Sequence, residues 1–169
     1  MPPAISITTS VTALDNQGLR IDYRLQGDIS ALRIPAHAPS QACDNLWQHT
    51  CCEAFIGDAT AVNTHSYREF NFSPSSCWAA YAFNDYRQRI IDWQPAAAPV
   101  LSSTVHADSL HLSALLPSAL LPDSPQLAIG LSAVIETLDG SKTYWALSHA
   151  AVQPDFHLRD SFTLRLSHP

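Results

Sequence analysis

Proline residues restrict this chain more than any other feature of its sequence. Twelve prolines occur in 169 residues. The interior ones, which divide the chain into short segments, are at positions 35, 39, 74, 95, 99, 117, 122, 125 and 154. Because proline lacks a backbone donor and clashes with the preceding helical turn, it ends or kinks helices. We therefore expect no long helix and only short helical turns, at residues 118–121 and 42–47.

Alternation of apolar and polar residues predicts strands between the prolines. Residues 5–13 and 19–25 alternate with period two, and the polar residues 15–18 between them predict a hairpin turn. The same reasoning predicts further strands at residues 29–34, 51–57, 66–73, 77–83, 100–107, 110–116, 127–137, 142–149 and 161–166. Short strands with turn signals roughly every ten residues are typical of a β-sandwich or barrel. We predict an all-β protein of about ten strands, in which residues 94–99 cross between two halves of a sandwich.

Charged residues are scarce, and this limits the partners that the chain can bind. Nine Lys and Arg with fifteen Asp and Glu make up 14% of the sequence and give a net charge of −6. Lys142 is the single lysine, so no basic patch can neutralise phosphates, which argues against nucleic acid and anionic membranes as partners. An apolar fraction of 46% at this length predicts one globular domain over residues 1–169.

The sequence shows no targeting signal. Residues 1–17 carry neither a basic nor a long apolar region, and no uncharged apolar run approaches the ~18 residues of a membrane span. We therefore expect a cytoplasmic protein. In that reducing compartment the four cysteines, Cys43, Cys51, Cys52 and Cys77, are expected to remain thiols.

A carboxylate in an otherwise apolar strand is the first candidate for a functional site. In the predicted strand 51–57, Glu53 shares a face with large apolar neighbours. A carboxylate on such a face needs a polar partner. The predicted strand 66–73 offers two, because either Arg68 or Glu69 could join Glu53. The sequence leaves open whether this is a structural hydrogen bond between two strands or a site for a ligand or cation.

Several stretches of the sequence resemble one known family. They are Leu46-Trp47, Thr50-Cys51-Cys52-Glu53-Ala54-Phe55, Tyr67-Arg68-Glu69-Phe70-Asn71-Phe72-Ser73-Pro74, Trp78-Ala79-Ala80-Tyr81, Tyr86-Arg87, Tyr144-Trp145-Ala146-Leu147-Ser148-His149 and Pro154-Asp155-Phe156-His157. This wording is similar to that of bacterial DOMON-like domains related to family-9 carbohydrate-binding modules, in the subgroup sometimes fused to MurB-type reductases. The resemblance covers roughly residues 5–167. It implies an immunoglobulin-like antiparallel β-sandwich with a pocket for a sugar or haem.

A sugar site needs aromatic faces that stack on the ring and polar side chains that bind its hydroxyl groups. The segments that carry the resemblance, with a few residues around them, offer both. The candidate ligand-binding residues are Trp47, Glu53, Glu69, Asn71, Trp78, Tyr81, Tyr86, Arg87, Trp93, Trp145, His149, His157 and Arg159. Each tryptophan has an alternative place in the core of a sandwich. Trp47 and Trp93, beside predicted loops, are the best candidates for exposure.

Metal ions and haem are alternative ligands. His149, Asp155 and His157 are chemically able to bind a metal ion, but their spacing matches no established metal motif and the aspartate suits a turn equally well. A structural ion such as calcium is compatible with the resemblance. Haem in the superfamily is usually held by a Met/His pair; Met1 is the only methionine, so haem would need two histidine ligands. We expect no cofactor.

Support for catalysis is thin. Glu53 with Glu69 would suit glycoside hydrolysis and His49 with Cys51 would suit nucleophilic chemistry. Five scattered glycines, however, form no phosphate-binding loop, dinucleotide fingerprint or nucleophile elbow. We therefore predict a noncatalytic module that binds a carbohydrate or a sugar-containing small molecule. The alternatives are a metal- or haem-dependent redox protein or small enzyme, and an accessory domain that binds another protein.

Overall fold

The computed structural model describes residues 3–168 and contains eleven strands in this range. They are β1 (Ile5–Ala13), β2 (Leu19–Gly27), β3 (Cys51–Asp58), β4 (Tyr67–Phe72), β5 (Trp78–Asp85), β6 (Gln88–Arg89), β7 (Val100–Val105), β8 (Ser109–Leu116), β9 (Gln126–Glu136), β10 (Lys142–Ala146) and β11 (Leu164–Ser167). Single 3-10 turns lie at Ile29–Ala31, Leu46–Gln48, Ser118–Leu120 and Arg159–Ser161. Within residues 3–168 no helix is long and apolar enough to cross a membrane.

The strands form two antiparallel sheets that pack face to face. The smaller sheet has the order β1-β2-β8-β7, and the larger has the order β10-β9-β3-β4-β5-β6, with β11 also paired to β9. Side chains from both sheets, among them Tyr23, Phe70, Phe72 and Leu112, are fully buried in one core between them. The prediction of an all-β sandwich with only short helical turns is therefore confirmed.

The strands form where the sequence alternates. In β2, Leu19, Ile21, Tyr23 and Leu25 are buried, while the residues between them are exposed or half-buried. The predicted hairpin of β1 and β2 is present, with Ala13 paired to Leu19 next to the turn. Each strand thus buries one apolar face against the larger sheet, which is the main stabilising contribution available to an amphipathic strand.

The larger sheet is buried on both faces around β3. All residues of β3 except the last are buried. Ala54 and Ile56 belong to the core between the sheets, whereas Phe55 points to the opposite, outer face and joins a second cluster with Tyr67 and Phe162. Glu53 is two residues before Phe55 on the same strand, so its side chain also points to the outer face and not into the core between the sheets.

Two glycines allow the segment after β10 to lie directly on this outer face. A Cβ atom at Gly57 would lie 1.9 Å from Nη1 of Arg159, and one at Gly130 would lie 3.1 Å from the ring of Phe162. The absence of side chains at these two positions lets the turn at Arg159–Ser161 pack against β3 and β9. Residues 147–163 therefore cover part of the outer face and form a wall beside the rest of it.

The structure confirms some local predictions and corrects others. Residues 94–99 join β6 in the larger sheet to β7 in the smaller one, as predicted, and a helical turn is present at Ser118–Leu120. The predicted strand at 29–34 was wrong. Its first part is a 3-10 turn in which Ser30 Oγ donates a 3.0 Å hydrogen bond to Asp28 Oδ1, and a side-chain bond of this kind competes with strand pairing.

Candidate functional site

A cavity of about 690 Å³ opens on the outer face of the larger sheet. Its floor is formed by β3, β4 and β5, and its walls come from the loop before β3, from β6, from β10 and from the segment after β10. The side chains that line it are Asp44, Asn45, Trp47, Glu53, Phe55, Glu69, Tyr81, Phe83, Arg87, Arg89, Val134, Tyr144, Gln153, Pro154, Phe156 and His157. Many of these residues are aromatic, and several are charged.

Strand register brings the polar residues of the floor together. Glu53 of β3 is paired with Asn71 of β4 on one side and with Ser132 of β9 on the other. One step along the sheet, Glu69 of β4 is paired with Tyr81 of β5. Residues two apart on a strand share a face, so Glu69 and Asn71 both point outward beside Glu53.

Glu53 and Glu69 are both buried carboxyl groups, with 3% and 6% of their surfaces exposed. Burial, and then repulsion from Glu69, raises the pKa of Glu53 from 4.5 to about 8. Glu53 accepts a 3.0 Å hydrogen bond from Ser132 Oγ, which favours its ionised form but does not offset burial. Burial likewise raises the pKa of Glu69 to about 7. Near neutral pH the pair therefore holds at least part of one proton, so it can both donate and accept hydrogen bonds.

Asn71 lies beneath the cavity beside these carboxyls and is fully buried. Neither its side-chain nitrogen nor its oxygen reaches a partner with hydrogen-bond geometry, although the side chain is near enough to Glu69 to lower the pKa of that carboxyl. A buried amide without partners is costly, at about 1–3 kcal/mol for each group. Such a group is uncommon in a folded protein and calls for a partner.

His157 presents one defined ring nitrogen to the cavity. Tyr67 Oη lies 2.8 Å from Nδ1 of His157 and also accepts a 3.2 Å hydrogen bond from the backbone N–H of Arg87. Burial lowers the pKa of His157 to about 4, so the ring is neutral at pH 7. We assign the Tyr67 hydroxyl as donor to Nδ1, which leaves the proton of the imidazole on Nε2, 3.7 Å from Oε2 of Glu69.

A charged clamp fixes the wall of the cavity at the β5–β6 turn. Nη2 of Arg87 donates a 3.0 Å hydrogen bond to Oδ1 of Asp155, and Tyr86 Oη donates to Oδ2 of the same carboxylate. Arg87 has a left-handed backbone conformation, with φ of 54°, which is unusual for a residue other than glycine. The clamp therefore joins the turn to the segment after β10 and directs Arg87 along the rim.

The opposite wall is held by a contact between the loop before β3 and β5. Tyr81 Oη donates a 2.7 Å hydrogen bond to Oδ1 of Asp44, and the guanidinium of Arg89 lies over the ring of Tyr81, with its Cζ 4.2 Å from the ring centroid. This stacked cation is favourable and leaves the donors of Arg89 available at the cavity.

Aromatic rings at the rim are accessible, whereas those inside are packed. Trp47 and Tyr144 line the cavity with 48% and 46% of their surfaces exposed. Below them, Phe83 is buried and stacks on Tyr67, with ring centroids 4.7 Å apart. The two exposed rings are therefore free to contact a ligand, and the inner rings hold the shape of the floor.

Seven of the residues predicted for ligand binding meet at this cavity. Six of them line it, namely Trp47, Glu53, Glu69, Tyr81, Arg87 and His157, and Asn71 adjoins Glu53 and Glu69 from below. The exposure predicted for Trp47 is confirmed.

The other six predicted ligand residues lie elsewhere. Trp78 is buried, Trp145 packs half-buried against the core between the sheets, and Trp93 is half-buried, with Cζ of Arg68 5.5 Å from the centroid of its ring. Tyr86 serves the clamp, and His149 is exposed beside Phe156. Arg159 lies over Gly57 and donates hydrogen bonds to the backbone oxygens of Asp58 and Ser66.

Several chemical pairings considered from the sequence do not occur. Arg68 lies on the opposite face of β4 from Glu69 and donates a 2.8 Å hydrogen bond to the Leu121 carbonyl, so it does not pair with Glu53. His49 contacts Glu136 at 2.8 Å rather than Cys51. Within the described part of the chain, no three His, Cys, Asp or Glu residues are grouped as metal ligands.

Sequence reasoning missed the cavity residues that come from loops and short strands. Asp44, Asn45 and Gln153 lie outside regular strands, and Arg89 lies in the two-residue β6. Tyr144 stands next to the predicted Trp145, and only the direction of β10 decides which of the two reaches the cavity. The alternation of β10 could have suggested that its two aromatics face opposite ways, but the other residues gave no periodic signal.

These features define the protein as a two-sheet β-sandwich with a ligand-sized cleft on the outer face of its larger sheet. No family model and no curated protein sequence matches the chain. Among solved structures, a candidate carbohydrate-binding protein from Bacteroides uniformis superposes with a TM-score of 0.62 at 15% identity, covering 98% of this chain and 78% of that one. A family-9 carbohydrate-binding module from Caldicellulosiruptor kristjanssonii, in complex with glucose, gives 0.59 at 7% identity, covering 99% and 77%. The chain therefore has a fold like that of a family-9 carbohydrate-binding module.

Proposed function

We propose that this protein is a noncatalytic module that binds a sugar-type small molecule in the cavity on the outer face of its larger sheet. One observation carries the proposal: half-exposed aromatic rings at the rim, Trp47 and Tyr144, stand over a buried polar floor at Glu53 and Glu69. A pyranose has apolar faces and a polar edge, so it needs both kinds of surface at once.

The size and polarity of the cavity support this ligand class. Its volume of about 690 Å³ lies within the ~300–1,000 Å³ of small-molecule sites and suits a mono- or disaccharide. The floor supplies carboxyl groups and the Nε2–H of His157, and the rim supplies Arg87 and Arg89. Sugar hydroxyls donate and accept hydrogen bonds, and this mixture of donors and acceptors matches them.

The structural neighbours support the same proposal. One is a candidate carbohydrate-binding protein and the other is a carbohydrate-binding module that was solved with glucose. The similarity of sequence wording to DOMON-like domains of the MurB-associated subgroup points in the same direction, and we propose that the chain belongs to that group. A binding role also agrees with the separation of His49 from Cys51, which leaves that pair without the contact that nucleophilic chemistry needs.

Calorimetric titration of the protein with D-glucose and a panel of mono- and disaccharides tests the proposal. We expect saturable binding that Trp47→Ala weakens at least tenfold, about 1.4 kcal/mol, because the exposed ring loses its contact with the sugar face. Since Trp47 is half exposed, the substitution should leave thermal unfolding nearly unchanged.

Trp93→Ala is the matched control. Trp93 is also partly exposed, but it does not line the cavity. We expect this variant to bind with wild-type affinity. Absence of binding by every sugar in the panel, or an equal loss in both variants, would contradict the proposed function.

A further inference from the structure

The buried carboxyls of the floor lack a cationic partner, although the cavity contains two arginines. Arg87 is paired with Asp155 at 3.0 Å, and Arg89 is stacked on Tyr81. Neither forms an ion pair with Glu53 or Glu69. The other titratable groups near these carboxyls are Cys51 of β3, Tyr67 of β4, Tyr81 of β5, Tyr144 of β10, Asp44 of the loop before β3, and His157.

None of these groups carries a positive charge that would stabilise the ionised form of the two carboxyls. His157 is 3.7 Å from Glu69 but remains neutral, because burial lowers its pKa to about 4. Asp44 adds a further negative charge at the wall and accepts its hydrogen bond from Tyr81. Cys51 Sγ contacts Oε1 of Glu53 at 3.8 Å as a buried thiol, and burial raises the pKa of that thiol well above its ordinary value. Within residues 3–168, therefore, no cation forms an ion pair with these two adjacent buried carboxyls, although Arg87 and Arg89 are near enough to lower the pKa of Glu69.

Asn71 independently points to a missing partner at the same place. It lies opposite Glu53 in register, it shares an outward face with Glu69, and both polar atoms of its fully buried side chain lack hydrogen bonds. Its amide oxygen is a third acceptor next to two carboxyls. A ligand group that brings several donors and a positive charge would satisfy the two carboxyls and the amide oxygen of Asn71, and it would ionise Glu69, which can then accept from the amide N–H of Asn71.

We propose that Glu53, Glu69 and Asn71, here called the acidic floor, bind the protonated primary amine of an amino sugar. This inference rests on the proposed function and specifies its ligand class. An –NH3⁺ group has three donors and no acceptor, which matches two carboxylates and an amide oxygen. A neutral hydroxyl supplies one donor and leaves the buried charge uncompensated.

Binding of an amine should also change the protonation of the two carboxyls of the acidic floor. A cation at the cavity stabilises the ionised form of both carboxyls, so binding at neutral pH should release protons from them to the buffer. Trp47 and Tyr144 at the rim would contact the ring of an amino sugar in the same way as the ring of a neutral sugar. Selectivity for the amine is therefore assigned to the floor, and general sugar affinity to the rim.

The test compares D-glucosamine, D-glucose and N-acetyl-D-glucosamine by calorimetric titration of the full chain at pH 7. These probes share a ring and differ at one substituent. We expect glucosamine to bind at least tenfold more tightly than either of the others. Repeating the titration in buffers with different ionisation enthalpies should reveal proton release with glucosamine but not with glucose.

Two variants locate the effect. Glu69→Gln should abolish the advantage of glucosamine over glucose, whereas Asp108→Asn, an exposed acid in the turn between β7 and β8, should retain it. Thermal unfolding of both variants establishes that each is folded. The comparison of the three sugars on the unmodified protein remains decisive if Glu69→Gln does not fold.

Each contrary result has a separate meaning. Binding of glucose or N-acetylglucosamine as tightly as glucosamine would overturn the amine inference and leave the proposed function standing. Failure of all three sugars to bind, together with the wider sugar panel, would overturn both. Titration with CaCl2 or MgCl2 alone tests the remaining alternative. Saturable metal binding that is lost in Glu69→Gln would overturn the amine inference and show that the acidic floor binds a metal ion.

Discussion

The hydroxyl of Tyr67 lies 2.8 Å from Nδ1 of His157, and this contact decides which ring nitrogen of the histidine faces the cavity. Tyr67→Phe removes a donor that favours the neutral ring, so we predict that the pKa of His157 rises above about 4, while burial, the main cause of the low value, keeps it below the ordinary 6.5. NMR titration of the imidazole nitrogens measures both the pKa and the tautomer. The exposed His149 serves as internal control, and the signals of its ring nitrogens should be the same in both proteins. An unchanged His157 titration would contradict the assigned hydrogen bond.

Stability should fall as the pH rises from about 6.5 to 8; below about pH 6.5 the lowered pKa of His157 adds a slope of the opposite sign. Both floor carboxyls have folded-state pKa values above their ordinary 4.5, at about 8 for Glu53 and about 7 for Glu69. The carboxyls therefore lose their protons at lower pH in the unfolded chain than in the folded chain. The contribution of the protonated carboxyls to stability is complete below about pH 4.5 and is lost as the pH rises through 8. Each carboxyl contributes a slope of at most about 1.4 kcal/mol per pH unit.

Glu53→Gln should remove part of this slope, because an amide does not titrate. Urea unfolding between about pH 6.5 and 8, above the range in which His157 contributes, measures it, and the exposed Asp123→Asn is the control. Asp58 and Asp155 have lowered pKa values, through hydrogen bonds that include those from Ser124 and Tyr86, so they affect stability only at more acidic pH. A wild-type protein whose stability rises across this range would show that the carboxyls are not held protonated.

The four thiols should fall into two reactivity classes. Burial raises the pKa of both Cys51 and Cys52, which lie in β3, and little thiolate forms there. A hydrogen bond involving Ser75, and another involving Cys43, lower the pKa of Cys77. The same hydrogen bond with Cys77 raises the pKa of Cys43, but Cys43 is half-buried and Cys77 keeps 8% of its surface exposed, against 0% for Cys51 and 2% for Cys52. Maleimide labelling followed by peptide mass spectrometry should therefore modify Cys43 and Cys77 first and reach Cys51 and Cys52 only on unfolding. Equal labelling of all four in the native protein would be inconsistent with this burial.

Gly57 and Arg159 should be energetically coupled. Gly57→Ala places a methyl group where the guanidinium lies, so Arg159 must give up hydrogen bonds to the backbone oxygens of Asp58 and Ser66. We predict a loss of about 1–2 kcal/mol in the free energy of unfolding. In an Arg159→Ala background the same substitution should cost much less, which a double-mutant cycle by urea denaturation measures. Additive effects would show that the close approach at Gly57 is not limiting.

The fold was largely accessible from the sequence because its signals are local. Alternation in β1 and β2, and the spacing of prolines, depend only on neighbours along the chain. The error at residues 29–34 arose where a short polar contact between Ser30 and Asp28 replaced strand pairing. The two-residue β6 was too short to produce a pattern.

The candidate site was only partly accessible, because its residues come from distant segments. Glu53 and Glu69 stood out as carboxylates in predicted strands, and Trp47 stood out as an aromatic residue beside a predicted loop. Nothing in the sequence placed Asp44 against Tyr81, 37 positions away, or Asp155 against Arg87, 68 positions away. These pairs are set by the order of strands in the larger sheet and by the path of the segment after β10.

The sequence by itself therefore determined an all-β chain with a carboxylate on one face of β3, since the period of a strand fixes which residues share a face. Only the tertiary structure decided that this face points away from the sandwich core. It also decided that Arg68 lies on the other side, and that Glu53, Glu69 and Asn71 meet without a counter-ion. Sheet order and packing settle these points, because burial and strand pairing depend on segments that are far apart in the sequence, and a local sequence pattern carries no information about which of them meet.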